Sequence, residues 1–175
     1  MNLEFIHHSP FTMKRALKLI LIILLVVFVI IQFFRPTENK SAAMSNNDIS
    51  HRFNMSPEVK KIFETSCYDC HSNNTRYPWY WKIQPVTWWM NGHIHDAKKE
   101  LNFSEFLSYP PRKQYKKIGD LNDEVKQGDM PLSSYTIIHV DARLNDDQKH
   151  LVANWSDSAL NQLKATYPPD SLRKK

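Results

Sequence analysis

Cys67, Cys70 and His71 are the residues whose types and spacing point most directly to chemistry. They stand in the stretch SCYDCHSNNTRYPW, residues 66–79, and the two cysteines are the only ones among 175 residues. The pattern C-x-x-C-H can attach haem c covalently: two thiols add to two vinyl groups of the macrocycle, and the adjacent imidazole binds its iron. The spacing suits that reaction because one helical turn separates the thiols, matching two substituents on one edge of a flat ring. The next residue then falls beneath the ring.

Three other chemistries could use the same residues. A disulfide between Cys67 and Cys70 would close too small a loop to stabilise much. A thioredoxin-like redox pair needs a strand before the motif and a helix after it, whereas here an amphipathic helix precedes and an aromatic loop follows. Zinc could take Cys67, Cys70 and two of His71, His93 and His95, but would not require a histidine directly after the second cysteine. Haem c, attached once, is the expected cofactor. For the second axial ligand, the stretch GDMPLSSY offers Met130 just after the stop of a helix, with Pro131 holding the chain extended. A thioether ligand would raise the potential relative to a second imidazole. Core filling is the ordinary role of a methionine, and His93, His95, His139 or an open position are the other distal candidates. His51 and His150 read as solvated surface residues.

The elements that must position these groups are legible in part. Ser56 as N-cap, Pro57 at the first helical position and Glu58 in the first turn start a helix. Val59, Ile62, Phe63 and Ser66/Cys67 recur along it at three-to-four spacing, so its apolar face delivers Cys67 to the core. Residues 72–85, with Asn-Asn and two prolines, predict a loop. Its Tyr77, Trp79, Tyr80 and Trp81, together with Trp88 and Trp89, are expected to shield the cofactor from water. A helix is predicted over 86–101 with Trp89, His93 and Ala97 on one stripe. Another is predicted over 110–128, with Tyr115, Ile118, Leu121 or Asn122, and Val125 on one face and Gly128 as its stop. Residues 130–143 read as a loop. A last helix over 144–163 starts with Asn145 and Gln148 in a capping box and presents Leu151, Val152, Trp155 and Ala159. Only three glycines, with 42% hydrophobic and 12% aromatic residues, favour an all-α domain over an all-β one.

Before that domain the chain is of another kind. From Leu19 to Ile31 there is no polar residue, and the run from Ala16 to Phe34 is broken only by Lys18 and Gln32. Such a segment is close to the roughly 20 residues of a transmembrane helix, with Lys18 able to snorkel. Lys14, Arg15 and Lys18 precede it, which places the N-terminus in the cytoplasm and the rest in the periplasm. A cleaved signal peptide is the alternative, but the apolar core exceeds the usual ~7–15 residues; an uncleaved single-pass inner-membrane anchor is expected. Residues 1–12 add nothing, Met13 could be the true start, and His7 and His8 are assigned no chemistry. The net charge of +5 is largely a property of this end, so it does not argue for nucleic acid. The expected organisation is a stub and anchor over 1–35, a flexible tether over 36–55, the haem domain over 56–164 and a frayed tail over 165–175.

Three stretches carry a family resemblance: SCYDCHSNNTRYPWYWKIQPVTWWMNGHIHDAKKELNFSEF, GDMPLSSYTIIHVDARL, and the Leu-Asn-Asp-Asp-Gln start of the last helix. Over roughly residues 30–160 the chain resembles the small cytochrome c-like haem-binding-domain family of Bacteroidota-type bacteria. The resemblance implies a cytochrome c-like helical fold, a haem c site at Cys67, Cys70 and His71, and Met130 in a Met-Pro corner. The expected function is that of a membrane-anchored mono-haem c-type cytochrome carrying electrons to or from a partner protein, rather than an enzyme. A peroxidase-like enzyme or haem-based sensor with an open distal site, and a zinc-binding domain, are the alternatives.

Overall fold

The start signals at Ser56 act as the sequence predicts. The Ser56 hydroxyl accepts the Val59 N–H at 3.3 Å, and the helix runs from Pro57 to Ser66. In the computed structural model, which describes residues 10–172, the α-helices in chain order are α1 (Pro10–Ile31), α2 (Pro57–Ser66), α3 (Tyr68–His71), α4 (Val86–Glu100), α5 (Pro111–Gln127), α6 (Ser133–Thr136), α7 (Asp146–Thr166) and α8 (Pro169–Leu172). Short 3-10 turns lie between several of them. No strand occurs among the described residues, only one isolated bridge between Lys40 and Asn74, so the all-α expectation holds. Residues 1–9 of the expected stub, with His7 and His8, and residues 173–175 of the expected tail lie outside the described residues.

The described residues divide into two units, one of residues 10–37 and 78–91, the other of 38–77 and 92–172. Within the first, α1 is followed by a turn in which Gln32 and Gln84 bond each other reciprocally. The Gln84 N–H donates to Gln32 Oε1 at 3.0 Å, and Gln32 Nε2 donates to the Gln84 carbonyl at 3.3 Å. Gln84 Nε2 and Trp88 Nε1 both donate to the Phe34 carbonyl, at 2.6 and 2.8 Å. Buried Gln84 and Thr87 are thus hydrogen-bonded, Thr87 to the Trp81 carbonyl, as burial demands of polar groups.

Among the described residues no helix is long and apolar enough to cross a membrane. The physical reason is where α1 stops: its uncharged helical run, Leu19–Ile31, rises only about 20 Å, short of the roughly 30 Å hydrocarbon core, and Lys14, Arg15 and Lys18 occupy the turns before it. The expected transmembrane span is not supported by α1 as a helix.

The second unit holds the apolar core. Phe63 on α2 is its hub: the ring lies 4.9 Å from Trp155 of α7, 5.1 Å from Phe103 and 6.1 Å from Tyr68, centroid to centroid. The α5–α7 pair is the most extensive helix packing, and it joins Ile118, Leu121 and Val125 to Val152, Trp155, Ala159 and Leu163 in one cluster. Leu151, expected on that stripe, is exposed instead. α7 starts as the sequence predicts, with both arms of the Asn145–Gln148 capping box made, at 2.9 and 3.0 Å.

Two boundaries differ from the expectation. Residues 36–55 are not a free tether throughout: Ile49 and Phe53 are fully buried in the core, and the Asn54 carbonyl accepts from Trp155 Nε1 at 3.1 Å. Their i, i+4 apolar spacing within a polar stretch is what packs them. At the other end α7 continues to Thr166, Arg52 bonds the Tyr167 hydroxyl at 2.9 Å, and α8 buries Leu172, so the described part of the tail is folded. Asn145→Ala should cost about 1 kcal/mol and Phe63→Ala about 3–5 kcal/mol, both read from urea unfolding followed by far-UV circular dichroism.

Candidate functional site

The motif sits at a helix junction. α2 ends at Ser66, Cys67 breaks the helical geometry at φ −124° and ψ −46°, and α3 begins at Tyr68. The Cys67 carbonyl nonetheless accepts the N–H groups of Cys70 at 3.2 Å and His71 at 3.0 Å, which keeps the two thiols one turn apart. The motif's exit is fastened by polar side chains. Asn39 Nδ2 donates to the Ser72 carbonyl at 2.8 Å, Thr75 Oγ1 donates to the Asp69 carbonyl at 2.7 Å, and Asn102 Nδ2 donates to Asn73 Oδ1 at 2.9 Å.

His71 is fixed by one contact. Its Nδ1 lies 2.9 Å from the carbonyl oxygen of Leu101, the residue after the end of α4. A carbonyl can only accept, so Nδ1 carries the proton and Nε2 keeps its lone pair. Burial lowers the pKa of this imidazole, outweighing the Leu101 and Ala97 carbonyls that act the other way, so the neutral, metal-binding form is favoured. The ring lies 5.9 Å from that of Phe103.

Two adjoining cavities meet at this histidine. The larger, about 350 Å³, has Cys67 on its wall with the apolar Leu101, Phe103, Leu121, Val125 and Leu144. The smaller, about 260 Å³, has Cys70 on its wall with His93, Ala97, Leu132 and Tyr135. His71 and Met130 line both, as do Ser66, Glu100 and Pro131. The structure therefore brings Cys67, Cys70, His71 and Met130 to one cleft. Of the other distal candidates, His93 lines only the smaller cavity. His95 is exposed and bonds Asp96 at 3.3 Å, and His139 stacks on Tyr135 at 4.3 Å. Neither lines either of these two cavities.

Met130 is held from its N-terminal side. Gly128, at φ 82°, adopts the left-handed cap conformation that ends α5. The chain then turns so that the N–H groups of Asp129 and Met130 both donate to the Glu124 carbonyl, at 3.0 and 3.2 Å. Residues 130–143, expected as loop, contain α6 and a 3-10 turn over Val140–Ala142.

The rival chemistries fare differently. Both cysteines are free thiols. Burial pushes Cys67 up to about 12, with Cys70 adding to the effect, and Cys70 up to about 11, with Asp69 adding. An exchange-active pair needs a depressed pKa instead. Among the described residues no group of three His, Cys, Asp or Glu could hold a metal ion, which leaves the zinc alternative without a ligand set. The donor set and lining do fit a haem: two thiols, an imidazole with Nε2 available, a thioether and apolar walls. The volume of the larger cavity alone falls within the roughly 300–1,000 Å³ of small-molecule sites.

Of the aromatics expected as a shield, Trp79, Trp88 and Trp89 are exposed and Trp81 is buried. Sequence reasoning missed Leu101, Phe103, Asp69 and Tyr135. Asn102 was the available signal for the first two: its side chain accepts from the Ser104 N–H at 3.1 Å, an N-cap that starts the turn carrying Phe103. Asp69 and Tyr135 had no local signal.

A family model described as a haem-binding domain matches residues 26–158, well over half of the chain. No curated protein and no solved structure matches it. From the thiol environment, labelling of the unmodified protein by a disulfide reagent at pH 8 should run at least about 100-fold slower than for a free cysteine, because burial leaves so little thiolate. Rapid labelling of Cys70 in the folded chain would contradict this.

Proposed function

Since the chain belongs to the haem-binding-domain family, we propose that it is a mono-haem c-type cytochrome, whose haem would be attached through Cys67 and Cys70 and held by His71 Nε2 and Met130 Sδ. The observation that carries this reading is the bond of His71 Nδ1 to the Leu101 carbonyl in a cleft that Met130 also lines. A metal-bound histidine characteristically gives its other ring N–H to a carbonyl or carboxylate, which orients it and raises its basicity. When bound, haem supplies a one-electron store on its iron.

The residues of the chain do the rest. Leu101, Phe103, Leu121, Val125 and Leu144 exclude water from the larger cavity, which favours the less charged, reduced form. Lys116 and Lys117 line that cavity beside Glu100, Asp120 and Glu124; Lys117 stays charged because Glu100, at 2.9 Å, and Asp120, at 3.6 Å, outweigh its burial. Electron transfer to and from a protein partner is the role, with no substrate transformed.

Although α1 by itself is too short to cross, the apolar segment it begins attaches the domain to a membrane, with the domain on the periplasmic side. Support comes from exposure: Leu17 and Leu19 through Ile30 present apolar side chains on every face of the helix, and Phe33 and Phe34 prolong the apolar run to 82% and 62% exposed positions. A helix apolar all round suits lipid better than water. The cations Lys14, Arg15 and Lys18 gather at its N-terminal end, where side chains can reach the headgroups.

A haem enzyme with an open distal position is the second reading, and what favours it is His93 on the wall of the smaller cavity. The two part on the spectrum: the electron carrier is low-spin when oxidised, with a weak near-infrared methionine-to-iron band, whereas the enzyme is high-spin and turns over peroxide.

Expression with haem c maturation machinery should give pigment that resists acidified organic solvent and yields a c-type pyridine haemochrome; Cys67→Ala with Cys70→Ala should abolish both. Met130→Ala should remove the near-infrared band and lower the potential, and an unaltered spectrum would reject Met130 as ligand. Removing residues 1–35 should move the coloured protein from the alkali-washed membrane fraction to the soluble one.

A further inference from the structure

The segment after Met130 has almost no packing to hold it. α6 buries none of its four residues, and Leu132, Ile137, Ile138 and Val140 around it are exposed. Its own backbone bonds, such as Thr136 N–H to the Leu132 carbonyl at 3.0 Å, make it a turn; beyond them, Arg143 Nε donates to the Thr136 carbonyl at 3.0 Å, and buried Ala142 fastens the chain only after the turn has ended. A turn of this kind drifts unless a tertiary contact holds it.

One such contact reaches back to the motif. The Tyr135 hydroxyl donates to Asp69 Oδ2 at 2.9 Å. Asp69 is the residue just before Cys70 and is buried. It is held in turn by Arg76, whose backbone N–H donates to Oδ1 at 3.0 Å, Nε to Oδ1 at 3.2 Å and Nη2 to Oδ2 at 3.3 Å. Arg76 Nη2 also donates to the Glu64 carbonyl on α2 at 2.8 Å. The carboxylate is thus pinned to the two helices that carry the motif, and hydrogen bonds to a charged group are the stronger kind. Tyr135 stays protonated as a donor, since burial and the adjacent Asp69 push its pKa up. With Glu124 holding the N-terminal side of Met130 and Asp69 holding Tyr135 five residues later, the methionine is clamped from both ends.

We propose that the Tyr135–Asp69 hydrogen bond is the tie that holds the Met130 segment against the C-x-x-C-H turn, so that Tyr135 and Asp69 are positioning residues for the distal ligand. This rests on Met130 being that ligand. Tyr135 touches no reacting atom; it acts through Met130 by limiting how far the segment can swing away, and so by setting how readily another ligand displaces the thioether.

The test uses Tyr135→Phe in the full, haem-loaded chain, a change that keeps the ring stacked on His139 and removes only the hydroxyl. Imidazole binding to the oxidised protein, followed in the Soret band, should tighten about ten-fold, the scale of one lost charge-assisted hydrogen bond. In a Met130→Ala background the same change should leave imidazole affinity unaltered, because no thioether remains to be displaced. In the haem-free chain, hydrogen exchange at the amides of residues 135–139 should quicken in Tyr135→Phe. Unchanged imidazole affinity in the single variant overturns the proposal, even where exchange quickens, since the tie would then be structural only. An equal tightening in the Met130→Ala background overturns it too, because the effect would not pass through the methionine. If Met130→Ala itself leaves the spectrum and imidazole affinity untouched, it is the axial assignment that fails.

Discussion

A carbonyl oxygen at the end of a helix must find a donor, and Leu101 finds His71. The last turns of α4 spend their carbonyls on the usual i+4 amides, with the Leu101 N–H reaching Ala97 at 2.8 Å, but nothing in the helix answers the oxygen of Leu101 itself. The imidazole supplies that proton from Nδ1 at 2.9 Å. One bond therefore satisfies a helix end, selects a tautomer and leaves Nε2 with its lone pair. If the tautomer were reversed, two lone pairs would face each other at hydrogen-bond distance and the nitrogen needed by a metal would be protonated.

The bond is only as good as the frame around it. Phe103 follows Leu101 by two residues and packs on Phe63, Tyr68 and His71 at once, so the carbonyl, the imidazole ring and the helix that precedes the motif are fixed by one aromatic group. Asn102 between them has its N–H donated to the Tyr109 hydroxyl at 3.0 Å and its side chain tied to Asn73. Buried polar groups of this sort are costly when unsatisfied, and here they are paired across segments far apart in sequence, which confines the motif to a narrow range of positions.

The cleft is rigid on one side and lightly built on the other. α2, α5 and α7 pack into the continuous core that supplies the wall carrying Leu121 and Val125. The Met130 side is a capped helix end followed by a short, unburied turn. On the proposed ligation by His71 and Met130, such an asymmetry would suit one ligand that must not move and a second whose hold is adjustable. The burial that makes the cysteines poor nucleophiles at ordinary pH belongs to the rigid side.

Local sequence determined a good deal. The C-x-x-C-H spacing, the Ser56 and Asn145 caps, the Gly128 stop and the apolar faces of α5 and α7 are properties of residues within a few positions of one another, and these were legible because helical periodicity and capping are short-range physics. What lies outside that range was not legible. Ile49 and Phe53 joined the core because tertiary packing can recruit two apolar residues from a polar stretch. That Trp79, Trp88 and Trp89 stay exposed was not legible either, because aromatic content says nothing about which surface a ring will cover. That α1 stops at Ile31, and that Lys14, Arg15 and Lys18 lie within its helix, came from structure rather than from hydropathy alone. The partners of His71 and Asp69, Leu101 and Tyr135, stand 30 and 66 residues away. Only the folded chain could decide such pairings, because a hydrogen bond over that separation exists by virtue of the packing that brings its ends together.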